Sequence, residues 1–192
     1  MSSDHGALLT AADLESVAVR GNRVIATDAS EAAGVQPKIT VICSRFNGAI
    51  STRLCHGALD AFEKLGMASS AVTVAWVPGA FELPLAALTA VNNGGAKAVV
   101  CLGAVIRGDT AHFDFVAGEC ASGIQRAALD TGVPIVFGVL TTDTLDQALE
   151  RCEPGESNKG YEAAITALEM IGVLGEITTG KKQPIAPHGA EA

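Results

Sequence analysis

The chain reads as an α/β three-layer sandwich, a four-stranded parallel sheet flanked by helices. Apolar strand-like runs alternate with segments of helical periodicity from Lys38 onward. The run Ala96–Ile106, AKAVVCLGAVI, is apolar without alternation, as a strand covered on both faces should be. Glycine, asparagine and proline punctuate the joints between these runs. Alternation of this kind implies right-handed crossovers and ligand binding at the carboxyl ends of the strands.

Taken in order, residues 1–37 are an N-terminal extension, partly flexible, rich in Ala, Ser, Asp and Gly without sustained periodicity and closed by Pro37. The first strand contains ITVIC, and Ile50, Leu54, Ala58, Phe62 and Leu65 then fall at helical spacing up to Gly66. Ala71–Val77 is the second strand. Pro84 suits the first turn of the helix after it, which Asn92-Asn93-Gly94-Gly95 ends. The third strand, Ala96–Ile106, leads to a helix from about His112 to Thr131, stopped by Gly132. Pro134–Leu140 is the fourth strand, and Thr144 with Gln147 forms a capping box for a short helix to about Arg151. A last helix covers about Asn158 to Leu174. The domain proper is expected over 38–176, with a flexible tail at 177–192.

Composition excludes several function classes. Hydrophobic residues make up 48% of the 192, yet no apolar run approaches the roughly 18 residues of a membrane span. The N-terminus lacks a basic start and a continuous apolar segment, so a cytoplasmic location is expected rather than secretion. A formal net charge of −8 disfavours nucleic acid and anionic membrane as partners. Five cysteines without a C-x-x-C pair argue against a disulfide framework or a zinc site and for structural thiols.

Four polar or aromatic segments should converge at the strand ends: Ser44–Gly48, Pro78–Glu82, Arg107–His112 and the region after Phe137-Gly138. In the third, Gly108, Asp109 and Thr110 precede a helix whose free N–H groups would receive a phosphate or carboxylate, with Arg107 adding charge. Asp109 or Thr110 as a simple helix cap is the competing explanation. Gly103 to Thr110 also has P-loop spacing, but Asp109 stands where that loop needs lysine and would repel the phosphates. His112 opens the helix, where the dipole disfavours a cationic ring and leaves an imidazole able to take a proton. His5, His56 and His188 lack such company. Phe46 beside Asn47, and Phe81 beside Glu82, pair an aromatic face with a polar group, a combination suited to a planar heterocycle carrying hydroxyls. Arg151 and Lys159 flank the loop CEPGESN and offer anion-binding charge or simply solvated surface.

The stretches RFN (Arg45–Asn47), GAFELP (Gly79–Pro84), GAVIRGDTAHFDFVAGE (Gly103–Glu119), FGVLTTDT (Phe137–Thr144), ALER (Ala148–Arg151) and NKG (Asn158–Gly160) occur in one order, and together the chain resembles the lumazine synthase family over about Lys38 to Leu174. The resemblance implies a flavodoxin-like fold and a condensation of 5-amino-6-(D-ribitylamino)uracil with 3,4-dihydroxy-2-butanone 4-phosphate, without cofactor or metal. By matching motifs, Phe46, Asn47, Ala80, Phe81, Glu82, Ile106, Phe137 and Lys159 would hold the pyrimidine and ribityl chain. Gly108, Asp109, Thr110 and Arg151 would bind the phosphate, and His112 would carry protons. The resemblance further implies a homopentamer with sites between adjacent subunits, Phe137, Arg151 and Lys159 coming from the neighbour. Such rings occur alone, as decamers or in sixty-subunit shells. The loop Cys152–Ser157, with Pro154, departs from the glycine- and lysine-rich sequence that often accompanies shells. Two alternatives within the fold are a lumazine- or flavin-binding or shell-forming protein without catalysis, and the related riboflavin synthase of archaeal type.

Overall fold

The computed structural model describes residues 25–179. In chain order these form α1 (Ala29–Gly34), β1 (Ile39–Ser44), α2 (Gly48–Lys64), β2 (Val72–Val77), α3 (Leu83–Asn92), β3 (Ala98–Ile106), α4 (His112–Thr131), β4 (Ile135–Thr142), α5 (Leu145–Glu150) and α6 (Lys159–Thr179). Every strand pair is parallel, and the order is β2-β1-β3-β4. That is the flavodoxin-like arrangement, with its switch point between β1 and β3.

The unalternating run of β3 does what its composition requires. Val100, Leu102 and Ala104 face one apolar core with α1, α2, α5 and α6, while Val99, Cys101 and Val105 face the other with α3 and α4. The helix punctuation is equally local. Gly132 caps α4 in the left-handed region at φ 66°, and the Thr144 and Gln147 side chains make the reciprocal capping box of α5. At Gly160 a Cβ would fall on the Leu54 carbonyl, so only glycine lets the start of α6 lie against α2.

Three boundaries differ from expectation. β4 continues past Leu140 to Thr142, and α6 past Leu174 to Thr179, because no proline interrupts either ladder. Inside the segment expected to be an extension, α1 is capped by Asp28, whose side chain accepts from Ser30 N–H at 2.6 Å. It buries Ala29, Ala32 and Ala33, and Thr27 donates to the Glu169 carbonyl of α6 at 2.8 Å. The flexibility expected of the chain's two ends concerns mostly residues 1–24 and 180–192, which lie outside the described residues.

Candidate active site

The loop after β1 is tied down on three sides. Arg45 and Phe46 N–H groups donate to the Val77 and Pro78 carbonyls at 2.8 and 3.1 Å. Ser44 Oγ donates to the Phe46 carbonyl and shares a hydrogen bond with Ser51, both at 3.2 Å. Asn47 adopts the left-handed conformation at φ 56°, ψ 40°, and its amide donates to the Ala104 carbonyl at 2.9 Å. With its own backbone so held, Phe46 presents an exposed ring. After β2, Gly79 lies extended, leaving room for the Glu82 carboxylate, whose Oε2 a Cβ there would meet at 3.1 Å.

A cleft of about 710 Å³ opens where these loops meet the end of β3 and the first turns of α4. Phe46, Ala80, Phe81, Glu82, Ile106, Gly108, Thr110 and His112, all among the candidate site residues, line it. Phe113, Phe115 and Val116 line it too, though no role was expected for them. The aromatic alternation of HFDF beside His112 was their signal. Asn47 and Asp109 are not on the wall. The Asn47 amide is committed to the backbone of β3, which makes it a support for Phe46.

The fourth segment divides: Thr142 and Asp143 at the end of β4 meet Arg107, while Phe137 does not line the cleft. Phe137 sits in mid-strand, paired in register with Cys101, and with Arg151 and Lys159 it lines a separate hollow of about 450 Å³ along the edge strand β4 and α6. There Arg151 donates to the Gln147 carbonyl at 2.8 Å and stands 3.7 Å from Glu150. Lys159 is held by both oxygens of Glu162, at 2.6 and 2.7 Å.

Arg107 also departs from expectation. It does not reach toward the Gly108–Thr110 loop as a free charge. Its Nε donates to Asp143 at 2.9 Å, its Nη1 to Asp114 at 3.1 Å, and the guanidinium carbon lies 4.1 Å from the centre of the Phe113 ring. Neither Asp109 nor Thr110 caps α4 in the ordinary way. The N-cap is Ala111, and Thr110 Oγ1 reaches only the His112 N–H, at 3.4 Å.

The five cysteines take no part. All are buried and free. Burial pushes the Cys120 thiol up to about 12 and drives Cys101 up as well, far from a reactive thiolate. Cys43 is raised by its hydrogen bond with Cys55 and by burial.

A parallel sheet whose carboxyl edge gathers aromatic faces, a histidine and a glycine-threonine loop defines a flavodoxin-like α/β protein with a small-molecule site at that edge. Residues 36–175 match the family model of 6,7-dimethyl-8-ribityllumazine synthase, and the chain belongs to that family. Among its relatives, the 6,7-dimethyl-8-ribityllumazine synthase of Edwardsiella ictaluri is 53% identical over 143 residues, 74% of this chain and 92% of its own. That of Pectobacterium atrosepticum is 53% identical over 141 residues, 71% of this chain and 89% of its own.

Proposed function

We propose that the chain catalyses the condensation of 5-amino-6-(D-ribitylamino)uracil with 3,4-dihydroxy-2-butanone 4-phosphate to 6,7-dimethyl-8-ribityllumazine, phosphate and water, the penultimate step of riboflavin biosynthesis. The observation that carries this, beside family membership, is the chemistry of the first cleft. Aromatic faces, a carboxylate and a histidine stand beside a loop rich in free N–H groups, which matches a planar amine meeting a phosphorylated ketone.

In this proposal the pyrimidine stacks on Phe46, and Ala80, Phe81, Glu82 and Ile106 hold its edge and ribityl chain. The amine nitrogen attacks the ketone carbon and water leaves as the imine forms. Loss of the proton from the hydroxyl-bearing carbon beside the imine expels phosphate and leaves an enol, which tautomerises to a ketone; attack of the ribitylamino nitrogen on that new carbonyl closes the ring with loss of a second water. Each step needs a proton moved over a short distance, and His112 sits on the cleft wall to move it. Gly108, Asp109 and Thr110 hold the phosphate through backbone N–H groups and the threonine hydroxyl. Much of the rate comes from holding two substrates in reacting geometry.

We propose further that 38–176 form the catalytic domain and that the working unit is a cytoplasmic homopentamer whose sites lie between subunits. Phe137, Arg151 and Lys159 of one subunit then complete the first cleft of the next. Two features support this. Arg151, the cation assigned to the phosphate, lines the second hollow and not the cleft of the Gly108–Thr110 loop of the same chain. Large apolar side chains also stand exposed on α3, α4 and the edge strand β2, among them Leu85, Phe115, Leu129 and Trp76.

The test is absorbance of lumazine formed from both substrates above the uncatalysed background, first with the wild type. Rings reassembled from equal amounts of His112→Ala and Arg151→Ala subunits then test sharing. If neighbours share sites, roughly one site in four is wild type under random mixing, and activity rises above the mean of the two parents. Mixed rings no better than that mean would refute the shared site.

A further inference from the structure

The turn that carries His112 starts without a conventional cap. Its N-cap is an alanine, and the one local side-chain bond, from the His112 N–H to Thr110 Oγ1, is 3.4 Å long. What fixes this turn against the sheet is Arg107. The backbone N–H of Arg107 donates to the Thr142 carbonyl at 2.9 Å, which anchors the residue across the ends of β3 and β4. From there the guanidinium reaches Asp114 at 3.1 Å, lies 4.1 Å above the ring of Phe113, and reaches Asp143 at 2.9 Å. The two residues that follow His112 are thus both gripped by one planar group. Asp143 is itself fixed, since its N–H donates to the Gln147 side chain of the α5 capping box at 2.9 Å.

We propose that Arg107 is a positioning residue for the reaction: it sets the direction of His112 by holding Phe113 and Asp114, and it is not a phosphate ligand. This rests on the function proposed above. Charge supports it. One cation is matched here by two carboxylates, so the cluster offers an approaching phosphate no net attraction. The geometry explains why arginine serves here. A lysine supplies one point of charge and neither a second nitrogen at a fixed angle nor a plane to lie on Phe113. Ion pairs as exposed as these contribute little to global stability, so their loss should loosen the turn without unfolding the domain.

The experiment compares wild type, Arg107→Ala, Arg107→Lys, Asp114→Asn, His112→Ala and the Arg107→Ala/His112→Ala double variant. Steady-state rates are measured with each substrate varied, and hydrogen exchange of the peptide spanning Gly108–Val116 without substrate. Arg107→Ala should lower kcat about tenfold or more, with KM for both substrates within about twofold, because a small misplacement of a proton carrier costs rate rather than binding. Arg107→Lys should recover only part of the rate. In the His112→Ala background the same change should have little further effect, since a residue acting through His112 has nothing left to position. Exchange across Gly108–Val116 should quicken in Arg107→Ala and Asp114→Asn while the melting temperature stays put. A KM increase confined to the phosphorylated substrate, full effect in the His112→Ala background, or unaltered exchange would each overturn the proposal. If the wild type does not form lumazine, the proposed function fails by itself, and the exchange data alone then decide whether Arg107 holds the turn.

Discussion

Replacing Arg151 by alanine probes the proposed phosphate site with little damage to the fold. The side chain makes a 2.8 Å bond to the Gln147 carbonyl and a loose 3.7 Å pairing with Glu150. At an exposed helix end that bond contributes about 0.5–1 kcal/mol. Its own carbonyl, which accepts from the Lys159 N–H at 2.9 Å, is unchanged by the substitution. Most of the loss should therefore appear in substrate binding. A guanidinium drawn from Glu150 to a phosphate has at least two N–H groups to offer, each bond contributing about 1.5–3 kcal/mol when fully formed. Solvent access lowers the pair to about 2–4 kcal/mol, or about 30- to 900-fold in kcat/KM. Initial rates by lumazine absorbance, with each substrate varied in turn, separate the effects. KM should rise for the butanone phosphate and stay within about twofold for the pyrimidine, with Arg151→Lys between the two because it keeps charge and loses the fork. An unchanged KM for the phosphorylated substrate, or an equal rise for both, would refute the assignment.

Three further outcomes are expected. Phe46→Ala should raise KM for the pyrimidine about tenfold and leave that for the phosphate substrate alone, since only a stacking face is lost; the same two-substrate kinetics check it. Asn158→Ala should lower the melting temperature at fixed protein concentration, because the buried amide donates to the Arg53 and Glu153 carbonyls at 3.3 and 3.1 Å and accepts from the Gly160 N–H at 2.8 Å; about 2–4 kcal/mol is at stake. Burial raises the Cys120 thiol from an ordinary 9.0 to about 12, so its contribution to stability is complete below pH 9 and is lost as pH rises toward 12. Cys120→Ala should make the alkaline decline in denaturant stability shallower over that window.

Where a feature depends on neighbours in the chain, the sequence expresses it. β3 announces its two buried faces by composition, Pro84 lies in the first turn of α3, and Thr144 with Gln147 states its own cap. α1 was illegible because its packing against α6 uses alanines, whose small side chains leave no apolar stripe to recognise. The partners of Arg107 were hidden for another reason. Asp143 comes 36 positions later, and only the β3–β4 register, which pairs Ile106 with Thr142, sets the two residues side by side. Without that register, an arginine before a glycine and an acid looks like a ligand for anions.

The division of the candidate residues between two hollows has the same origin. Convergence at the carboxyl edge is a rule about strand ends, and it holds for the loops after β1, β2 and β3, which meet in one cleft. Phe137 belongs to the body of β4, level with Cys101, while the loop of β3 lies beyond Ile106, level with Thr142. At the rise of about 3.3 Å per residue in a parallel strand, the five steps from Phe137 to Thr142 amount to about 16 Å. A substrate in the cleft beside His112 would have to cover that offset along the sheet to reach Phe137 of the same subunit. A second copy can bring its own Phe137, Arg151 and Lys159 to the open side of the cleft with no such constraint. Mixed rings of His112→Ala and Arg151→Ala subunits therefore test the geometry as much as the chemistry, because recovery requires the two hollows to come from different chains.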